Sequence, residues 1–426
     1  MTLVVGRIHT GTCMTTPVAS SSKRRDLQDL RDLPRAPALS YLQKQVEPRA
    51  PRRKVIDLKP WRYPLIAAFT PQRLWTWISQ YLRYRFRPRH PFQVYAKDSA
   101  DNGVYSLQGD AGEIRIALAG DWATGTDEAH TISELIKAFK PHYTIHLGDV
   151  YYVGDPNEVD ENFLRKPNPD NEYSPCLWPK GSKGAFALVG NHEMYALGGS
   201  AYFDRMLPTL GLIEGGLSQG QKASFFCLEN EFWRIIALDT GYNSVGLPLL
   251  EYIFWPDCAL PAELVSWLGE LFKRDDDRRG IVLLSHHQYF SRFDKWYPKP
   301  ALQLARFMTA PVLWFWGHEH RMAIYKEFCV EGAVKAYGRC IGHGGMPVDL
   351  PPDAPPHPEC PLEFVDRRHY KNDENLQIGI NGFVQITLRD NVLRVEYRDV
   401  YGTVVCSEDW TVKDGVLSRL AIKFSV

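Results

Sequence analysis

The stretches IRIALAGD (114–121) and YTIHLGDVYY (143–152) decide the fold. Each opens as an apolar run of strand length and then passes through glycine to aspartate. Between them, residues 128–140 place Ile132, Leu135, Ile136 and Phe139 at helical spacing, so the three segments read as a strand, a helix and a strand. The rhythm continues: 185–189 is a strand that ends in GNHE (190–193), and 232–238 is another. Residues 281–284 end in SHH (285–287), and 312–316 end in GHEH (317–320). A second helix over 261–273 buries Leu264, Trp267, Leu268, Leu271 and Phe272.

Five strand-like runs therefore finish in groups that can ligate metal. Ligands of open α/β sheets bind beyond the carboxyl ends of strands, where clusters distant in sequence can converge. Two cations about 3.5–4 Å apart share a bridging carboxylate, grip phosphoryl oxygens and acidify a water to hydroxide near neutral pH. Carboxylate, imidazole, amide and phenolate suit iron, manganese or zinc. Glycine before Asp121, Asp149, Asn191 and His318 lets the backbone turn close to the metals. One aspartate after a strand commonly serves only as a turn or cap residue. The ordered set is what argues for a metal site.

With these motifs in this order, residues 112–345 resemble the calcineurin-like metallophosphoesterase superfamily, and within it the purple acid phosphatases. The resemblance implies an α/β four-layer sandwich, two β-sheets flanked by helices, with a dinuclear metal site at the strand C-terminal ends. The superfamily's usual Asp-x-His is absent, because Trp122 and Ala123 follow Asp121. Purple acid phosphatases have Gly-Asp-x-Gly there, and a tyrosine three residues after the bridging aspartate replaces the lost histidine. Tyr152 stands three after Asp149, and Ala123 takes the place of the glycine.

The resemblance assigns the first metal to Asp121, Asp149, Tyr152 and His320, and the second to Asp149, Asn191, His286 and His318. It favours Fe(III) at the Tyr152 site and Zn(II), Mn(II) or Fe(II) at the other. His192 would touch the phosphate or the leaving group, Glu193 would orient it, and His287 would lie near the phosphate. A further histidine usual in the family is missing from 291–299. The residues alone leave Tyr152 open to reading as a core aromatic, as Tyr151 reads. His146 reads as a core histidine and His343 as an exposed loop histidine. The activity implied is hydrolysis of phosphomonoesters by a metal-activated hydroxide. Phosphodiester hydrolysis, or a metal-stabilised binding role without turnover, are the alternatives. Substrate choice falls to the loops 195–220, 241–257 and 290–302.

Outside this region, 1–110 reads as a basic, partly disordered N-terminal extension, and 111–426 as the catalytic domain. The first hundred residues hold 19 Lys and Arg against 6 Asp and Glu in a chain of zero net charge. Such a segment docks on an acidic partner, most simply its own domain. Its one amphipathic helix, from Pro71, carries Leu74, Trp77, Ile78 and Tyr81, an aromatic face of the packing kind. No specific nucleic-acid or membrane partner is expected. The proline-rich run 351–376 reads as a surface insertion, and 383–397 as a hairpin. Eight cysteines without CxxC spacing fit reduced thiols, and the N-terminus lacks a secretory h-region, so a cytoplasmic location is expected.

Overall fold

The computed structural model describes residues 88–96, 101–151, 153–166, 176–245, 257–273, 277–371 and 377–425. The helix expected from Pro71 and the ligand Tyr152 lie outside them. Strand Ile114–Ala119 is buried along nearly its whole length, the pattern of a central parallel strand. It pairs in parallel with Tyr143–His146, which pairs in parallel with Gly184–Ala187. On its other side Gly382–Arg389 runs antiparallel and leads through Val392–Asp399 and Val404–Lys413 to Val416–Phe424. Gly211–Glu214 and Leu217–Ser218 complete nine strands.

The second sheet is built on the parallel strands Trp233–Ala237, Gly280–Ser285, Val312–Trp316 and Ala336–Ile341. Val104–Ser106 and Phe226–Glu229 extend it at one edge, Met322–Phe328 and Leu362–Val365 at the other, giving eight strands. The sheet thus begins within the segment read as the extension. Part of the proline-rich run 351–376 forms its far edge.

Alternation along the strands makes the layers. Ile116 and Leu118 face the other sheet and pack with Ile235, Val282, Leu284 and Phe315. Ala117, Ala119, Ala185 and Ala187 face outward, and their small side chains let helix Asp127–Phe139 settle Ile132 and Ile136 against them. Burying two such isoleucines contributes roughly 1.5–3 kcal/mol each. The helix starts where the Thr126 hydroxyl accepts from the Ala129 amide and stops at left-handed Lys140. Helices Ala262–Leu271 and Lys299–Leu304 cover the other sheet's outer face, packing on Leu283, Trp314 and Trp316. The order is helix, sheet, sheet, helix.

Residues 88–96 cross the surface of this sandwich. The Arg89 guanidinium donates to Asn243 Oδ1 and to the Val245 carbonyl, the Tyr242 hydroxyl donates to the His90 carbonyl, and Phe92 packs on Phe225 and Tyr242. Among the described residues no helix is long and apolar enough to cross a membrane.

Candidate metal centre

The two sheets bring their strand ends together at one edge. Asp121, Asp149 and His318 all adopt left-handed backbone, at φ of 56°, 71° and 64°. L-residues do so at a cost, and the three turns doing so together mark a functional edge. Two glycines are required by space: a Cβ on Gly190 would lie 2.0 Å from Asp149 Oδ1, and one on Gly317 2.6 Å from Asp121 Oδ2. Those glycines allow neighbouring loops to close on the carboxylates.

Asp149 sits at the middle. Its Oδ2 is 3.2 Å from His286 Nε2, 3.7 Å from His192 Nε2 and 3.1 Å from the Tyr151 hydroxyl. His286 Nε2 is also 3.2 Å from Asn191 Oδ1, while its Nδ1 lies 2.9 Å from the Leu147 carbonyl. That carbonyl accepts from Nδ1, which leaves Nε2 as the nitrogen facing the carboxylate side. Asp121 Oδ1 meets the Tyr151 hydroxyl at 2.6 Å and His320 Nε2 at 3.5 Å, and its Oδ2 accepts from the His318 amide at 2.8 Å. The donor atoms of Asp121, Asp149 and His286 fall within 4.8 Å of one another, as do those of His286, His287 and His318. His287 is fixed by Thr240, whose hydroxyl oxygen accepts from its backbone amide at 3.0 Å.

Glu193 ties two of the loops. Its Oε2 accepts from the Gly190 amide at 2.8 Å and the Asp149 amide at 3.2 Å. Burial and the charge of Asp149 push its carboxyl up to about 8. Asp149 behaves oppositely: although burial raises it, the charges of His286 and His192 hold its carboxyl well below the usual carboxylate range. His192 is 16 % exposed at its side chain and stacks obliquely on Tyr151, at the rim of the cluster.

Asp121 and Asp149 are both buried, and among the described residues neither has a lysine or arginine partner. Buried carboxylates without a fixed cation are costly, and carboxylate, imidazole, amide and phenol donors aimed at one volume suit metal cations. The residues present fit a metal centre.

Asp121, Asp149, Asn191, His286, His318 and His320 are thus brought together, with His192, Glu193 and His287 around them. Tyr152 is outside the described residues. Tyr151 is buried as expected, yet its ring packs on Met346 and its hydroxyl enters the cluster. The signal for this is strand-like alternation. Val150 bridges Ala123 and packs in the core under the helix, so the next side chain turns the other way. Ala123 packs in that core too. His146 is a core histidine among Trp122, Phe163 and Trp178, and burial lowers it to about 3. His343 departs from its expected exposure: it is buried, in a glycine-rich loop whose Gly344 and Met346 amides donate to the Gly120 and Asp121 carbonyls. The three glycines around it were the available signal. Thr240 and Tyr297 carry no motif.

The family model of the calcineurin-like phosphoesterases matches residues 114–322 of the chain. That match supports a hydrolase. Among solved structures, the chain is similar to a purple acid phosphatase from yellow lupin seeds, at 13% identity and a TM-score of 0.45, over 71% of this chain and 54% of that one. It therefore spans about half the length of the lupin protein. It is also similar to PhoD (14% identity, TM-score 0.43, covering 74% and 72%) and to GAP50 of Plasmodium, an anchor in the inner membrane complex (15%, 0.42, covering 71% and 89%). Identities this low carry no residue roles across. A comparison with curated proteins finds no significant match.

Proposed function

We propose that this protein hydrolyses phosphomonoesters at a centre of two metal ions. The observation that carries the reading is the meeting of Asp149 with Asp121, His286 and the Tyr151 hydroxyl in a buried cluster where, among the described residues, neither carboxylate has a lysine or arginine partner. Asp121, Tyr151 and His320 would hold one ion, Asn191, His286 and His318 the other, with Asp149 shared. Tyr151 is preferred to Tyr152 because its hydroxyl is 2.6 Å from Asp121 and 2.9 Å from His320 Nε2. A phenolate there favours Fe(III), with Zn(II), Mn(II) or Fe(II) beside it. Bound metal supplies charge neutralisation of the phosphoryl oxygens and a water acidified for attack.

The chain's own groups do the rest. His192, at the rim, is positioned to hold a proton for the departing oxygen. Glu193 fixes the Asp149 and Gly190 amides and with them the carboxylate's aim. His287, braced by Thr240, lies against His318 and offers its free edge to the phosphate. The basic N-terminal arm is read as docking on its own domain, supported by the Arg89 contacts. Metal analysis, a visible spectrum and an aryl phosphate assay across pH test the proposal. The expected result is about two metals per chain and turnover abolished by a chelator. Bound metal without turnover on any phosphoester would instead indicate a binding role.

A further inference from the structure

Asn191 and Tyr195 are the first and last residues of one short helix, which follows strand Gly184–Ala187 and starts from Gly190. Residues one helical turn apart share a face, and here the contact is direct: Asn191 Nδ2 donates to the Tyr195 hydroxyl oxygen at 3.0 Å. The other end of the same amide, Oδ1, lies 3.2 Å from His286 Nε2. Asn191 is buried, so these neighbours orient the amide and bulk water does not.

The two ends of a primary amide have nearly the same shape and opposite chemistry. Its oxygen has lone pairs to offer a cation, whereas its nitrogen offers only hydrogens, which a cation repels. Shape alone does not resist a half-turn that would exchange them. What separates the two orientations is the position of acceptors, because a buried N–H without one is costly. The Tyr195 hydroxyl supplies an acceptor on the side away from His286. On the other side the Asp149 carboxylate, 3.2 Å from that same His286 Nε2, would draw the nitrogen inward if the hydroxyl were gone.

We propose that Tyr195 is a positioning residue: by accepting from Nδ2, its hydroxyl keeps the Asn191 oxygen turned toward His286, the side to which the second ion is assigned. The inference rests on the reading of a two-ion centre above. The Tyr195 ring has a separate contact, edge-on to His192 with centroids 5.2 Å apart. Tyr195→Phe therefore removes the acceptor and keeps the packing.

The test uses the full chain, freed of metal and titrated with Zn(II) by calorimetry and chelator competition. Wild type is expected to bind about two ions per chain. Tyr195→Phe should weaken one of them about tenfold and the other by no more than about twofold. Excess Zn(II) should restore its kcat on an aryl phosphate, because the hydroxyl acts on occupancy. In an Asn191→Asp background the same substitution should change zinc affinity by less than about threefold, since a carboxylate presents an oxygen whichever way it turns. Equal affinities in wild type and Tyr195→Phe would overturn the proposal, as would a loss of about tenfold that persists in the Asn191→Asp background. Two-ion binding that depends on the Tyr195 hydroxyl, in a protein that turns over no phosphoester, would keep the positioning role and remove the hydrolase. Turnover with zinc binding unaltered in Tyr195→Phe would do the reverse. Fewer than two ions on the wild-type chain would remove both.

Discussion

The hydroxyl of Tyr151 lies 2.6 Å from Oδ1 of Asp121, and the same oxygen reaches Asp149 and His320 at 3.1 and 2.9 Å. Three prospective ligands thus share one phenol, buried among them. Burial, with the charges of Asp121 and Asp149, raises that phenol far above its usual range. Tyr151→Phe keeps the ring against Met346 and removes only the oxygen. It is expected to weaken metal retention about 10–100-fold, measured by chelator competition, and to bleach any visible band from an iron–phenolate pair. Tyr152→Phe should leave both intact; the opposite pattern would return the role to Tyr152.

Metal should also act as a stabilising ligand. A site filled at a hundred times its Kd adds about 2.7 kcal/mol to folding, so a chelator is expected to lower Tm by several degrees. Asp149→Ala removes the shared ligand, and its Tm should no longer respond to chelator. Its kcat/KM should fall on the order of a thousandfold or more, because several kcal/mol of charge stabilisation go with the metals. A Tm response surviving in Asp149→Ala would place the binding cations elsewhere.

The sequence was most legible where one residue type served one purpose. Parallel central strands such as Ile114–Ala119 are continuous apolar runs, and their ends carry the glycines and polar groups that name the site. Edges are harder to read: Leu362–Val365 pairs with Met322–Phe328 although prolines and charges surround it in sequence. Tyr151 shows a different limit. Counting three residues from Asp149 points to Tyr152, and that count does not reveal that the Tyr151 hydroxyl enters the cluster, which depends on the left-handed turn at Asp149 and the bridge from Val150 to Ala123. His343 and Tyr297 depend on which loops meet in space, and neither has a local periodicity to reveal it.

Glu193 tests whether loop placement matters apart from ligation. Its carboxyl accepts from two buried amides, those of Gly190 and Asp149. Glu193→Ala leaves both without a partner, at about 1–3 kcal/mol each. Urea unfolding should show the loss. Steady-state kinetics should show kcat lowered about 100-fold with KM for an aryl phosphate nearly unchanged, since Asp149 is mispositioned while the phosphate contacts persist. An effect confined to KM would mean that Glu193 serves substrate binding instead.

Asp239 gives a pH prediction away from the metals. It is buried, and burial pushes its carboxyl from 3.8 to about 6 in spite of the Ser224 hydroxyl and the Tyr242 and Gly241 amides that donate to it. Between pH 3.8 and about 6 the native state therefore binds a proton that the unfolded chain has released, so this group's contribution to stability falls as pH rises through that window. Above it the ionised carboxylate costs on the order of 3 kcal/mol relative to the unfolded chain. Asp239→Asn removes the charge and keeps an acceptor for the Tyr242 amide. Relative to wild type, the variant should gain stability from about pH 4 to about pH 6 and then level off, read as the difference in urea unfolding free energy. A difference that stays constant across this range would show that Asp239 does not titrate with folding, and that its hydrogen bonds outweigh its burial.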